Sequence, residues 1–100
     1  MEVFEPLSAF FLTINDDVKI GVTHVSLYMA LLQKWNINKG KNPILINRNE
    51  IMKAAKINAR YTYNKCINDL NNYGYIKYIP SSNPVSGSTV YIRILPMDKF

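Results

Sequence analysis

Apolar residues recur at every third or fourth position through the opening of the chain: Val3, Phe4, Leu7, Phe10, Phe11 and Ile14. That spacing lines one side of a helix. Pro6 is tolerated there, because the N–H it lacks would have no partner in a first turn. A strand through Ala9–Ile14 is the competing reading, since Phe-Phe-Leu-Thr-Ile has high β-propensity, but the longer period favours helix. Its stripe either closes the core of the subunit or meets the same helix of a second copy. Phe4, Leu7, Phe10, Phe11 and Ile14 are therefore the candidate seam of a homodimer, on a helical extension (1–20) ahead of a core over 23–95.

Asn15-Asp16-Asp17 and then Gly21 interrupt the pattern. Thr23 is the expected N-cap of a helix from His24 to about Trp35, with Val25, Tyr28, Leu31, Leu32 and Trp35 as its buried stripe. His24, in the first turn with no second histidine, cysteine or carboxylate pair near it in sequence, reads as a surface residue. Residues 36–43 are a loop by composition, and Ile44-Leu45-Ile46 is a short strand. Asn47 and Glu50 have the spacing of a capping box, opening a helix to about Lys56 with Ile51, Met52 and Ala55 inward. Ile57 is the apolar residue expected to pin a turn, and Asn58 the cap of the next helix. That helix, Ala59 to Tyr73, turns Tyr63, Cys66, Ile67, Leu70 and Tyr73 inward and stops at Gly74, a residue suited to the left-handed position. Cys66 reads as a small buried apolar residue rather than a nucleophile. Tyr75–Ile79 and Thr89–Leu95 alternate as strands around a polar loop at 81–88.

Helix, turn, helix, strand and hairpin, in that order, predict an α+β fold: a winged helix-turn-helix with a three-helix core, a small antiparallel sheet, a wing and an extra N-terminal helix. Charge sharpens the expectation. Nine cations lie from Lys34 to Lys77 against Glu50 and Asp69, a local balance of +7, whereas the first 33 residues carry −3. A polyanion is the natural partner for the middle of the chain, although a solvated basic face has the same composition.

The side chains left outward near the start of the second helix of the pair are of the types that read a groove. Arg60, Tyr61, Thr62, Asn64 and Lys65 are the candidate base readers: Arg bridges guanine, Asn bridges adenine, and Thr or Tyr meets thymine methyls and phosphates. Arg48, Lys53, Lys56, Asn58 and Lys77, with Ser82, Ser86 and Ser88 of the wing, are the candidate phosphate contacts. The expected partners are double-stranded DNA and a second copy of the chain.

THVSLYMALLQKWN, NPILINRNEIMKAAKI and TYNKCINDLNNYGYIKYIPSSNPVSGSTVYI together resemble a family of small winged-helix proteins from Bacteroidetes, often found near mobile elements and labelled transcriptional regulators. The resemblance spans nearly the whole chain and implies DNA binding without catalysis. More loosely, TYNKCINDLNNYGYI is similar to the recognition helix and second strand of the MarR and GntR groups. By position, that similarity puts Arg60, Tyr61, Thr62, Asn64 and Lys65 on the base-facing side. The larger regulators' ligand-binding domain and long dimerisation helices have no counterpart here, so no small-molecule effector is expected. Replication initiation, assistance to a recombinase, and a protein-interaction role are the alternatives that the same fold serves.

Catalytic signatures are missing from the sequence: no paired acids, metal-ligand spacing, Gly-rich phosphate loop or Ser/His or Cys/His set. No cofactor or metal is expected. No apolar run approaches the ~20 residues of a membrane span. The acidic start lacks the basic region of a signal peptide, and a lone cysteine fits a reducing cytoplasm.

Overall fold

The computed structural model describes residues 4–81 and 87–93, and the side chains of residues 4–7 lie outside that description. In chain order the elements are α1 (Phe4–Ile14), α2 (Val22–Ile37), β1 (Ile44–Ile46), α3 (Arg48–Ala55), α4 (Arg60–Asn72), β2 (Ile76–Ile79) and β3 (Ser88–Ile92). The fold is α+β. Its strands form one antiparallel sheet in the order β1-β3-β2, with Ile44 opposite Val90 and Ile76 opposite Ile92.

The buried stripe of α2 organises the core. Leu27, Tyr28, Leu31, Leu32 and Trp35 are inaccessible, and α2 is the common neighbour of α3, α4 and β3. Ile51 and Ala55 of α3, Tyr63, Cys66, Ile67 and Leu70 of α4, and Ile76, Val90 and Ile92 of the sheet complete the same cluster. Two polar atoms are shut in without a hydrogen-bond partner among the described residues, the Tyr28 hydroxyl and the Trp35 indole N–H. Burial pushes the Tyr28 phenol up to about 12.

α1 belongs to this core, which corrects part of the expected dimer seam. Phe10 is fully buried, with its ring stacked on Tyr28 at 3.8 Å and edge-on to Tyr75 at 5.4 Å. Burying an aromatic of this size inside the subunit leaves it nothing to offer a second copy. Ile14 packs against the same cluster. Phe11 remains 46% exposed, while the side chains of Phe4 and Leu7 lie outside the described residues.

Several expected caps move. α2 starts earlier than Thr23: Gly21 is its N-cap, and the His24 ring, not a threonine hydroxyl, meets the Gly21 N–H. At α3 the Asn47 side chain accepts from the Glu50 N–H at 3.0 Å. The reciprocal half of the box is not made, because the Glu50 carboxylate is taken by Lys34 at 2.8 Å. Asn58 is exposed and does not cap α4, whose N-cap position is Ala59 with no side-chain bond.

Three helices end alike, with an N–H reaching back five residues: Gly40 to Trp35, Ile57 to Met52 and Tyr75 to Leu70, each 2.9 Å. Such closure needs a left-handed residue. Gly74 serves α4 as expected (φ 88°), but lysines stand at the other two, Lys39 (φ 60°) and Lys56 (φ 61°). Side chains then tie the elements together. The Ser26 hydroxyl donates to the Ala55 carbonyl, joining α2 to α3. Asn42 bonds both main-chain groups of Ile92 at 2.9 Å, lengthening the β1–β3 ladder. Asn71 of α4 accepts from the Tyr78 N–H of β2 at 2.8 Å. Gly87 has no alternative, since φ is 76° and a Cβ would lie 2.6 Å from the Ile46 carbonyl oxygen. No helix among the described residues is long and apolar enough to cross a membrane.

Candidate nucleic-acid interface

α3 and α4 are joined by a turn whose large apolar side chain, Ile57, is buried, as expected from the sequence. With Tyr63, Cys66, Ile67 and Leu70 inside, α4 turns Arg60, Tyr61, Asn64, Lys65 and Asn68 to solvent. Tyr61 is 77% exposed. An aromatic ring left this bare in the first turn of a helix makes no contribution to the core. Burial raises the Tyr63 phenol to about 12 and also pushes the Cys66 thiol up.

The five candidate base readers do not form one uniform face. Arg60, Tyr61 and Asn64 are exposed, with no side-chain partner among the described residues. Thr62 is half-buried at the edge of the face. Lys65 is exposed but tied to Asp69 of the next turn at 2.9 Å, a hydrogen bond that holds its ammonium above the ordinary lysine value. Asn68 joins the outward face one turn further on, its amide donating to the Asn64 carbonyl at 2.8 Å.

Around that face Arg48, Lys53, Lys56 and Asn58 are exposed, and none of the three cations has a carboxylate partner among the described residues. Lys56 occupies its left-handed position at an energetic disadvantage against glycine. The first turn of α4 contains no acidic residue and no side-chain cap, so the positive end of the helix dipole is not neutralised there. Its free N–H groups point where an oxyanion could bond. Lys77, further off on β2, sits over the Tyr91 ring at 5.6 Å. Ser88 is half-buried in β3, its hydroxyl oxygen accepting from the Ser81 N–H at 3.3 Å. Ser82 and Ser86 lie outside the described residues.

The far end of α4 holds a polar cluster that sequence reasoning missed. His24 is buried rather than on the surface. Its Nδ1 accepts from the Gly21 N–H at 3.0 Å, so that nitrogen carries no proton. Nε2 must then be the protonated one, donating to Asp69 Oδ2 at 2.8 Å. With both ring nitrogens used, His24 has none free to accept a proton from a substrate. Its bonds to His24 and then Lys65 hold the Asp69 carboxyl below the usual carboxylate range. Beside it the Tyr75 hydroxyl donates to Asp17 at 2.7 Å, and Lys19 pairs with Asp17 at 3.0 Å. The Tyr75 bond is the largest cause that lowers the Asp17 carboxyl, and burial together with that bond raises the Tyr75 phenol. Lys19 also covers the Tyr73 ring at 5.1 Å. Tyr73, expected in the core, is therefore at the surface, and Tyr75 takes the interior position.

The signal for this cluster was faint. Its partners are far apart in the chain, 45 residues for His24 and Asp69 and 58 for Asp17 and Tyr75. Among the described residues, no group of three or more His, Cys, Asp or Glu could hold a metal ion. Comparisons with protein-family models, with curated proteins and with solved structures return no match.

Proposed function

We propose that the chain binds double-stranded DNA as a winged helix, with α4 in the major groove and the β2–β3 hairpin as its wing, acting as a transcriptional regulator that occupies an operator. The observation that carries this reading is the outer N-terminal half of α4. Among the described residues Arg60, Tyr61 and Asn64 are exposed without a side-chain partner there, flanked by Arg48, Lys53 and Lys56, which have no carboxylate partner. Groove-reading side chains bordered by free cations match the division of labour in a duplex interface: base contacts specify and phosphate contacts position.

The proposal gives each residue a role. Arg60, Tyr61 and Asn64 read base edges, with Lys65 and Asn68 behind them and Thr62 at the margin. Arg48, Lys53, Lys56 and the open N-terminus of α4 hold phosphates. The buried Phe10 weakens the α1 stripe as a dimer seam, so one chain on one half-site is the unit of binding.

Selection of bound sequences from a random duplex pool, followed by mobility-shift titration, tests the proposal. Arg60→Ala is expected to lower affinity for the selected site by about 1–3 kcal/mol and to relax base preference. Lys53→Ala is expected to weaken all duplexes alike and to flatten the dependence on salt. Recovery of no enriched sequence, or affinity indifferent to salt and to both substitutions, would end this reading.

A further inference from the structure

A second surface lies at the opposite end of β1 from α3. There the end of α2, the 38–43 loop and β1 enclose a shallow groove of about 310 Å³, lined by Lys34, Ile37, Asn38, Pro43, Ile44 and Leu45. Two of its apolar side chains are conspicuously bare: Ile37 is 68% exposed and Leu45 62%. β1 is an edge strand. Since Asn42 engages both main-chain groups of Ile92 and Ile44 pairs with Val90, alternate residues of β3 face β1, and the Leu45 N–H and C=O point away to the open edge.

The rim of this groove is cationic. Lys39 and Lys41 of the loop are exposed, and so is Arg93, which follows the Ile92 that the Asn42 side chain bonds. None of the three has a carboxylate partner among the described residues. Lys39 is also in the left-handed conformation that glycine adopts more readily. Lys34, the cation in the lining itself, is taken by Glu50, so the unneutralised charge beside the bare aliphatic side chains is that of the neighbouring loop, and it is complementary to an acidic, apolar ligand.

We propose that this groove docks a partner protein through a short extended segment that carries branched apolar side chains flanked by carboxylates. Leu45 offers that segment one main-chain hydrogen-bonding pair, Ile37, Pro43 and Leu45 take its apolar side chains, and Lys39, Lys41 and Arg93 meet its acids. Pro43 has no N–H and interrupts the edge, so the segment is short and its side chains carry the affinity. This proposal does not rest on DNA binding, and either one stands if the other fails.

The test is selection of random displayed peptides on the immobilised full chain, with the enriched peptides measured by fluorescence anisotropy. Enriched sequences combining Asp or Glu with Leu, Ile or Val are expected. Leu45→Thr, which keeps a strand-forming residue, and Lys41→Glu at the exposed rim are each expected to weaken them at least about tenfold, roughly one well-placed contact, without lowering the melting temperature. No enrichment, enrichment of basic peptides, or affinity unmoved by both substitutions overturns the proposal. So does a duplex affinity that falls with Lys41→Glu more than peptide affinity does, which would give the rim to nucleic acid. A dimer in light scattering that Leu45→Thr dissolves would give the groove to a second copy, and would overturn it as well.

Discussion

At its C-terminal end α4 carries Asp69, which takes hydrogen bonds from both His24 and Lys65, while Tyr75 and Lys19 satisfy Asp17 alongside. At its N-terminal end the same helix sends Arg60, Tyr61 and Asn64 into solvent with no partner among the described residues. Polar side chains of similar kinds are thus used in opposite ways within one helix. Where partners are complete, removing a member leaves a part-buried donor or acceptor stranded, and the loss appears as stability. Where partners are missing, removal changes little in the folded chain and is felt only by a ligand. The difference separates polar residues that hold the fold together from those left free for a ligand.

The strongest challenge to that division comes from Phe10, which packs edge-on against Tyr75 beneath the satisfied end. Phe10→Ala is expected to lower unfolding free energy in urea by about 3–5 kcal/mol, as deletion of a buried aromatic does. Its oligomeric state in light scattering should not change. A dimer that dissociates, with little loss of subunit stability, would return Phe10 to an intersubunit seam.

Next in size is His24→Ala. Losing the acceptor for the Gly21 N–H and the donor to Asp69 is expected to cost about 1–3 kcal/mol in the same denaturation experiment. Duplex affinity of the folded protein should be unaltered. A large fall in affinity without a fall in stability would mean that the C-terminal end of α4 serves binding after all.

Lys56→Gly sharpens the comparison from the other side. Relieving a left-handed lysine, less the extra freedom of glycine in the unfolded chain, is expected to raise stability by about 0.5–1 kcal/mol. The same change should weaken duplex binding regardless of sequence. A variant that is more stable and binds unchanged would remove Lys56 from the interface.

The smallest effect is on the acid side. Asp17 and Asp69 both have lowered folded values, from an ordinary 3.8. Their contribution is therefore complete above the unfolded value and is lost as pH falls through the folded one. Stability should decline below about pH 4, with Asp17→Asn and Asp69→Asn each flattening the slope. An acid profile that neither substitution alters would put the titrating carboxylates elsewhere.

How much was legible beforehand differs by kind of residue. The helix from Arg60 to Asn72 was readable because Tyr63, Cys66, Ile67 and Leu70 repeat at its own period, and its outward side followed by subtraction. Gly74 and Ile57 were readable because a left-handed stop and an apolar turn residue have few substitutes. His24 was misread because its partner, Asp69, is 45 residues away in sequence. Tyr73 was misread as inward because it fits the apolar period of its helix, and only the i→i−5 closure at Gly74 leaves it at the surface and turns Tyr75 inward.

From its order of apolar and polar residues alone, the chain determined four helices, three strands and the exposed half of α4, because periodic burial is a local property of each segment. Tertiary structure alone decided that α1 lies inside the subunit, that His24 is an internal link, that Lys65 is tethered and Arg60 free, and that the β1 groove stands open with a cationic rim. Those outcomes depend on which distant side chain arrives at each position, and a hydrogen bond or an aromatic stack exists only once both halves are in place.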